Sequence, residues 1–297
     1  MTEISIIFYT YRLGLDVTFY SLQNQLFRDF ELVLVDELYD ERKDLVAALK
    51  AKFPIQHLEP ISRENWAITK NWNWALAHAK GELIVTLDDY TYCPPRWLAL
   101  HRAFSQIFHR RKAIVLGPTH DVDFPETKWG KGWIMNGKKP LVPLQEALWS
   151  VFKPTTLEVK DLKIKRFDGG KPITPRLMGL VPTRYAYGNI CVPLEVFLEL
   201  NGYDEAYTLQ HGFHDVDFAF RMNALGWQVF YDPDNPVYHF WHEEAFRMEH
   251  GGFKRNERYF NIRKAQIASD PSKAYAPNPY SLKDLRRNIH ENIASQP

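Results

Sequence analysis

Asp88 and Asp89 stand side by side at the end of Leu83-Ile84-Val85-Thr86-Leu87, an apolar run of strand length. A strand buried on both faces reads as such a run. In open α/β sheets, ligands collect beyond the carboxyl ends of the strands. Two acids at that place can hold a divalent cation through hard oxygen ligands, and the cation can carry phosphates. The plainer alternative is a turn before Pro94-Pro95, because Asp is a common turn former. A second acidic pair, Asp36-Glu37, closes the run from Glu31 to Val35. A third, Asp215 and Asp217, opens a helical stretch, where acids are favoured by the helix dipole and as caps.

The elements around these acids alternate. Ile4-Ser5-Ile6-Ile7-Phe8 is a strand-like run, and Leu13 to Phe27 reads as a helix with Phe19, Leu22 and Leu26 at helical spacing. Leu45, Leu49 and Phe53 mark a second helix, and Ile55 to Leu58 a short strand. Asn65 to Ala79 carries Trp66, Trp72, Ala75, Leu76 and Ala79 on one stripe, with Gly81 as its expected C-terminal cap. Trp97 opens a further helix running to about His109. Strands alternating with helices predict an α/β fold with a mostly parallel, doubly wound sheet. Two strand ends would then deliver Asp36, Asp88 and Asp89 to one edge.

The first hundred residues resemble the GT-A fold glycosyltransferases of the family-2 type. Tyr9-Thr10-Tyr11-Arg12 stands where that family has a Pro-Thr-Tyr-Asn turn, and Asp36-Glu37 where two acids read the nucleobase and ribose. Asn65-Trp66-Ala67 and Lys70-Asn71 match an Asn-x-Gly to Arg-Asn stretch, and Asp88-Asp89 the metal-binding carboxylate motif. Further on, Gly202-Tyr203-Asp204-Glu205 and Gly212-Phe213-His214-Asp215-Val216-Asp217-Phe218-Ala219-Phe220-Arg221 are similar to the family's Gly-x-Asp-Glu turn and its Glu-Asp-x-Asp-Leu-x-x-Arg helix. His214 replaces the usual Glu. The likeness covers residues 3–100 and 186–240 and leaves the segment between unassigned.

The resemblance implies a Rossmann-like, mostly parallel sheet flanked by helices, with a glycosyltransferase domain over 1–242 and a C-terminal extension over 243–297 packed on it. It implies that Thr10, Tyr11, Arg12, Asp36, Lys70 and Asp88 line a nucleoside diphosphate sugar, most simply a UDP-sugar. Asp89 would ligate Mn²⁺ or Mg²⁺. His239, after Val237-Tyr238, matches a histidine that ligates the metal in relatives, a role that suits Mn²⁺ better than Mg²⁺; its alternative is a satisfied histidine at a strand end. Asp215 would be the general base. Asp217 is open between the acceptor side and a bond to backbone or Arg221. Transfer of one sugar with inversion is implied, since the Gln-x-x-Arg-Trp signature and membrane helices of the polymerising branch are absent from the sequence.

Composition bounds the partners. A chain of 297 residues with 45% hydrophobic content can hold one large domain or two modest ones, and a net charge of +1 argues against polyanion binding over the whole surface. Two cysteines, Cys93 and Cys191, in unlike contexts fit a reducing cytoplasm, and neither a secretory signal nor a membrane-spanning run is expected. Nine Trp residues are many; most such rings are core, though some suit stacking on sugars.

The segment 120–184 has a different texture, with Trp129-Gly130-Lys131-Gly132-Trp133, several prolines and the basic residues Lys160, Lys163, Lys165, Arg166, Lys171 and Arg176. It is expected to be a loop-rich, acceptor-side insert, because loops on a rigid scaffold carry specificity. Trp129, Trp133, His214 and Asp217 are the acceptor-side candidates. The basic residues read first as a solvated face, and otherwise as a patch for a lipid diphosphate or nucleic acid. The tail from Glu243 is expected to form one or two helices, loosely held after Pro277. The acceptor is expected to be a saccharide or another hydroxyl compound. The alternatives are a hydroxylated base in DNA, a nucleotidyltransferase (which would want a Gly-rich phosphate loop absent from Tyr9 to Leu15), and a non-catalytic carbohydrate- or sugar-nucleotide-binding module.

Overall fold

The apolar runs become the centre of a sheet. The computed structural model describes residues 2–11, 15–64, 66–108, 112–122, 163–164, 177–178, 188–208, 212–232, 234–240 and 252–294. Its first half alternates β1 (Ile4–Thr10), α1 (Asp16–Gln23), β2 (Phe30–Asp36), α2 (Tyr39–Leu49), β3 (Ile55–Leu58), α3 (Ile68–His78) and β4 (Leu83–Leu87). There follow β5 (Thr91–Tyr92), α4 (Trp97–Phe108), β6 (Ala113–Leu116), β7 (Thr119–Val122), β8 (Lys163–Ile164), β9 (Leu177–Met178) and β10 (Asn189–Pro193). The chain continues through α5 (Leu194–Leu200), α6 (His214–Ala224), β11 (Gln228–Tyr231), β12 (Val237–Phe240), α7 (Gly252–Ser269) and α8 (Leu282–Ala294).

Eight strands form one sheet in the order β3-β2-β1-β4-β10-β6-β11-β9. The strands β3, β2, β1 and β4 are parallel. β10 runs antiparallel between β4 and β6, β11 is parallel to β6, and β9 is antiparallel at the far edge. A smaller sheet, β5-β12-β7-β8, stands beyond it.

The continuous apolar runs reflect two covered faces. Ile4, Ile6, Phe8, Leu32, Leu34 and Val85 pack with Phe19 and Leu22 of α1, Val46 of α2 and Trp97 of α4. Ile7, Val33, Val35 and Ile84 pack on the other face with α3, α5 and α6, joined by Ile267 of α7 and Leu282 of α8. At about 25 cal/mol per Å² of apolar surface removed from water, these two layers carry most of the drive to fold.

Several expected details change. The buried stripe of α2 is Arg42, Val46 and Leu49, while Leu45 is 41% exposed and Phe53 lies past the helix. The helix expected over 65–79 begins at Ile68, because Trp66 takes a left-handed φ of 56°. Gly81 is not its cap: α3 ends with Ala79 in an extended conformation. Glycine is needed there because a Cβ would lie 2.5 Å from the Ser5 amide nitrogen, where the chain enters β4 against β1. Residues His120 to Val122, expected to be loop, lie in β7. The described residues after Pro277, up to 294, are not loosely held. Asn278 donates to the carbonyls of Asn201 and Tyr203 at 2.8 and 2.9 Å. Leu282 is fully buried, and Arg286 of α8 donates to the carbonyls of Leu76 and Ala79 at the end of α3. No helix among the described residues is long and apolar enough to cross a membrane.

Candidate active site

The strand ends gather the acids as the sequence pattern predicts. Register pairs Thr10 of β1 with Asp36 of β2, and β4 on the other side of β1 runs directly into Asp88 and Asp89. The Thr10 hydroxyl donates to Asp89 Oδ2 at 3.4 Å, tying β1 to the acidic pair. Glycine at 188, with φ +81°, lets the backbone close on Asp88; a Cβ there would lie 2.3 Å from Asp88 Oδ2. Tyr90, immediately after the pair, is a buried non-glycine residue at φ 55°. Strained backbone of this kind persists only where the surroundings over-determine it, and it gathers at functional sites.

Asp36 reaches this edge in a different state from the one its motif suggests. Its carboxylate is fully buried. Oδ1 accepts from the Leu38 amide at 2.9 Å and lies 2.9 Å from the Arg42 guanidinium, and Oδ2 is 3.1 Å from His57 Nε2. The His57 ring packs on Tyr39 with centroids 4.3 Å apart. Burial lowers the Arg42 pKa, and the charges of Asp36, Tyr90 and Asp89 oppose the fall. Arg42 and His57 escaped the sequence reading because each looks like an ordinary surface residue of its element. The neighbouring Glu37 accepts from the Tyr9 hydroxyl. Tyr11 lies beside Tyr9, with ring centroids 6.2 Å apart. Lys70, expected along the donor, pairs with Glu64 at 2.5 Å. Arg12, Trp129 and Trp133 lie outside the described residues.

The second sheet places His239 beside β5, the strand that follows the acidic pair. β12 runs antiparallel to β5, with His239 opposite Thr91, two residues beyond Asp89. Among the described residues, no group of three or more His, Cys, Asp or Glu side chains gathers as a metal cluster. The expected ligands, Asp89 and His239, are a carboxylate just before β5 and an imidazole on β12, the strand paired with β5. Such a donor set suits Mn²⁺ or Mg²⁺ that takes its remaining ligands from phosphates and water.

Asp215 stands on the first turn of α6, preceded by Gly212 and Phe213, both left-handed at φ 93° and 69°. Asp215 is partly exposed, whereas its neighbours turn inward. His214 is buried, its ring 5.7 Å from that of Trp72 in an edge-on contact. Asp217 is fully buried and bonded to Arg221 Nε at 2.6 Å, and it accepts from the Tyr207 hydroxyl at 3.3 Å. Arg221 in turn donates to the carbonyls of Leu200, Ala274 and Gly202. Asp217 is thus withdrawn from the acceptor side and serves the fold, and buried His214 offers an acceptor little surface. Tyr203 connects the two acidic regions. Burial raises its pKa first, and the Asp215 and Asp88 charges raise it further, while Arg221 opposes them. Tyr203 thus lies within electrostatic reach of both carboxylates, a relation that no sequence motif singled out.

A mostly parallel sheet with paired acids at its strand ends, faced by a separate acid-bearing helix, defines a glycosyltransferase of the GT-A type. The family model for glycosyl transferase family 2 matches residues 3–170, more than half of the chain, and the chain belongs to that family. Its fold is similar to that of S. aureus TarS 1-349 in complex with UDP, with TM-score 0.59 and 16% identity over 88% of this chain and 64% of that one. The same TarS segment with UDP-GlcNAc gives TM-score 0.61 and 16% identity over 88% and 66%. GalNAc-T7 with UDP, GalNAc and Mn²⁺ gives TM-score 0.59 and 16% identity over 98% of this chain and 55% of that chain. The chain therefore spans less than two thirds of each of these neighbours. No curated protein matches it in sequence.

Proposed function

We propose that this glycosyltransferase moves a single sugar from a nucleoside diphosphate sugar, specifically a UDP-sugar, to an acceptor hydroxyl, with inversion. The observation that carries the reading is that buried Tyr203 lies within electrostatic reach of both Asp88, at the end of β4, and partly exposed Asp215 on α6. The neighbours crystallised with UDP or UDP-GlcNAc support the donor class.

In this reading Tyr11, Glu37 and Asp88 line the donor, and Thr10 and Asp36 with Arg42 form the floor beneath it. Asp89 and His239 hold the divalent cation, which when bound stabilises the negative charge of the leaving diphosphate. Asp215 accepts the proton of the acceptor hydroxyl as the oxygen attacks the anomeric carbon from the face opposite the diphosphate. The bond from that carbon to the diphosphate oxygen breaks, and its electron pair leaves with the nucleotide. Partial exposure suits Asp215 to this work, since a base must reach an incoming substrate. Residues 1–242 form the catalytic domain and 243–297 an extension of it. The segment 120–184 supplies the acceptor side, and the acceptor is a saccharide or other small hydroxyl compound. Two buried cysteines with no disulfide between them support a reducing compartment, the cytoplasm.

A panel of UDP-, GDP-, ADP- and CDP-sugars tests the reading, scored by thermal shift and by nucleotide release with and without Mn²⁺. Stabilisation and release restricted to UDP-sugars are expected. Indifference to every nucleotide sugar would leave only a carbohydrate-binding module.

A further inference from the structure

The loop that delivers Asp215 is held by an element far away in sequence. Of the residues between α5 and α6, 201–208 and 212–213 are described, and both stretches meet α7. From one face of α7, Asn256 donates through Nδ2 to the Gly212 carbonyl at 3.0 Å. The rings of Phe253 and Phe260 flank that of Phe213, at 4.9 and 5.5 Å between centroids. One turn on, the Tyr259 hydroxyl donates to Asp204 Oδ2 at 2.9 Å, and Arg263 lies 3.6 Å from the same oxygen. Arg255 donates to the carbonyls of Ala206 and Thr208 at 3.4 Å.

This face of α7 is built unlike a simple core contact. Asn256 and Arg263 are buried at 1% and 6% exposure, in positions where a helix packing for stability alone would present aliphatic residues. A buried amide is costly unless its bond is made, so Asn256 specifies one geometry of the turn. The turn itself needs holding. A phenylalanine at φ 69° is strained, and it follows a glycine at φ 93° where a Cβ would meet the Phe253 ring at 3.0 Å. Relaxing either residue would rotate the first turn of α6, and Asp215 with it.

We propose that α7 is the positioning element of the catalytic base, with Asn256 as the positioning residue. Its bond to the Gly212 carbonyl, backed by Phe253 and Phe260, locks the left-handed Gly212-Phe213 turn and so sets the reach of Asp215. The proposal rests on the reading of Asp215 as general base. It gives the C-terminal segment, which lies outside the family match of residues 3–170, a part in the reaction.

A double-mutant cycle on the full-length chain tests it, with Asn256→Leu, Asp215→Asn and the two combined. Donors are UDP-glucose, UDP-galactose, UDP-GlcNAc and UDP-GalNAc, and acceptors are p-nitrophenyl glycosides. Asn256→Leu is expected to lower kcat for transfer roughly 10- to 100-fold, the scale of a small misplacement of a catalytic group. KM for the donor should stay within about twofold, the pattern of an interaction expressed in the transition state. In the Asp215→Asn background the same change should cost almost nothing more, because residues that act as a unit are non-additive. Hydrogen exchange should quicken in the 212–217 amides of Asn256→Leu and not in β1 or β4. Gly212→Ala, which perturbs the same turn from the other side, should reproduce the kinetic pattern.

Fully additive losses, or a parallel fall in donor binding, kcat and melting temperature, would overturn the positioning role while leaving Asp215 as base. An Asp215→Asn enzyme with wild-type transfer would overturn the base reading and the inference together.

Discussion

Asp88 and Asp89 are adjacent, yet their surroundings differ. Asp89 is 6% exposed, accepts from the Thr10 hydroxyl of β1 and precedes the strained Tyr90, so its carboxylate is held against β1. Asp88 packs on the bare Cα of Gly188. Asp89→Asn keeps the shape and removes the charge that a cation needs. Mn²⁺-dependent release of UDP from a UDP-sugar is expected to fall by roughly 100-fold or more, the scale of losing several kcal/mol of charge stabilisation, with the melting temperature retained. Undiminished turnover in EDTA would sink the metal assignment. A buried histidine elsewhere should contribute to the acid stability. His101 is fully buried, and its Nε2 lies 2.9 Å from Asn189 Oδ1. Burial pushes its pKa from 6.5 down to about 4, with the Asn189 bond opposing. Because the folded chain resists a proton that the unfolded chain accepts, stability is full above pH 6.5 and falls as pH drops towards 4, by up to about 3 kcal/mol. Urea melts at pH 7, 5.5 and 4.5 should show this slope, and His101→Gln should flatten it.

At the scale of elements, α6 separates two acids that its sequence leaves equivalent. Asp215 and Asp217 both sit in the first turn, where the dipole favours them. Only packing distinguishes them: Asp217 turns under the helix to Arg221, which in turn bonds three carbonyls, while Asp215 turns out. Removing one partner of a buried pair costs about 3–5 kcal/mol, because it strands the other charge. Arg221→Met should therefore destabilise by that amount in urea melts, whereas Asp215→Asn should change stability by less than about 0.5 kcal/mol and reduce transfer by roughly 10²–10⁴. The reverse ranking would show that Asp215 is the structural acid.

The same comparison explains what was legible in the sequence. β1, β2 and β4 could be read because burial on two faces demands unbroken apolar runs, and their ends then placed Thr10, Asp36 and Asp89 on one edge. The face of α2 could not: an arginine, Arg42, occupies the core-facing stripe to reach Asp36, and the apolar Leu45 is left outside. Asn256, Tyr203 and His57 were equally hidden, since each owes its role to a contact between elements far apart in sequence.

The whole molecule decides what kind of acceptor can approach. A net charge of +1 gives the chain little overall attraction for a polyanion, and Asp88, Asp89 and Asp215 would make the proposed catalytic edge locally unfavourable for one. An acceptor that is itself a polyanion would have to be recruited by a local basic patch, for which the sequence offers Lys160, Lys163, Lys165, Arg166, Lys171 and Arg176. Binding of that kind releases counterions and weakens steeply with salt, by about 10³–10⁵ between 50 and 200 mM for six to ten phosphate contacts. A neutral saccharide acceptor has no such term. Transfer measured at fixed donor and Mn²⁺ from 50 to 200 mM KCl is therefore expected to vary by less than about threefold. The triple change of Lys163, Lys165 and Arg166 to Glu should leave both transfer and donor hydrolysis nearly intact. A steep fall of transfer with salt, reproduced by the triple change while donor hydrolysis persists, would reassign the acceptor to a lipid diphosphate or to modified DNA.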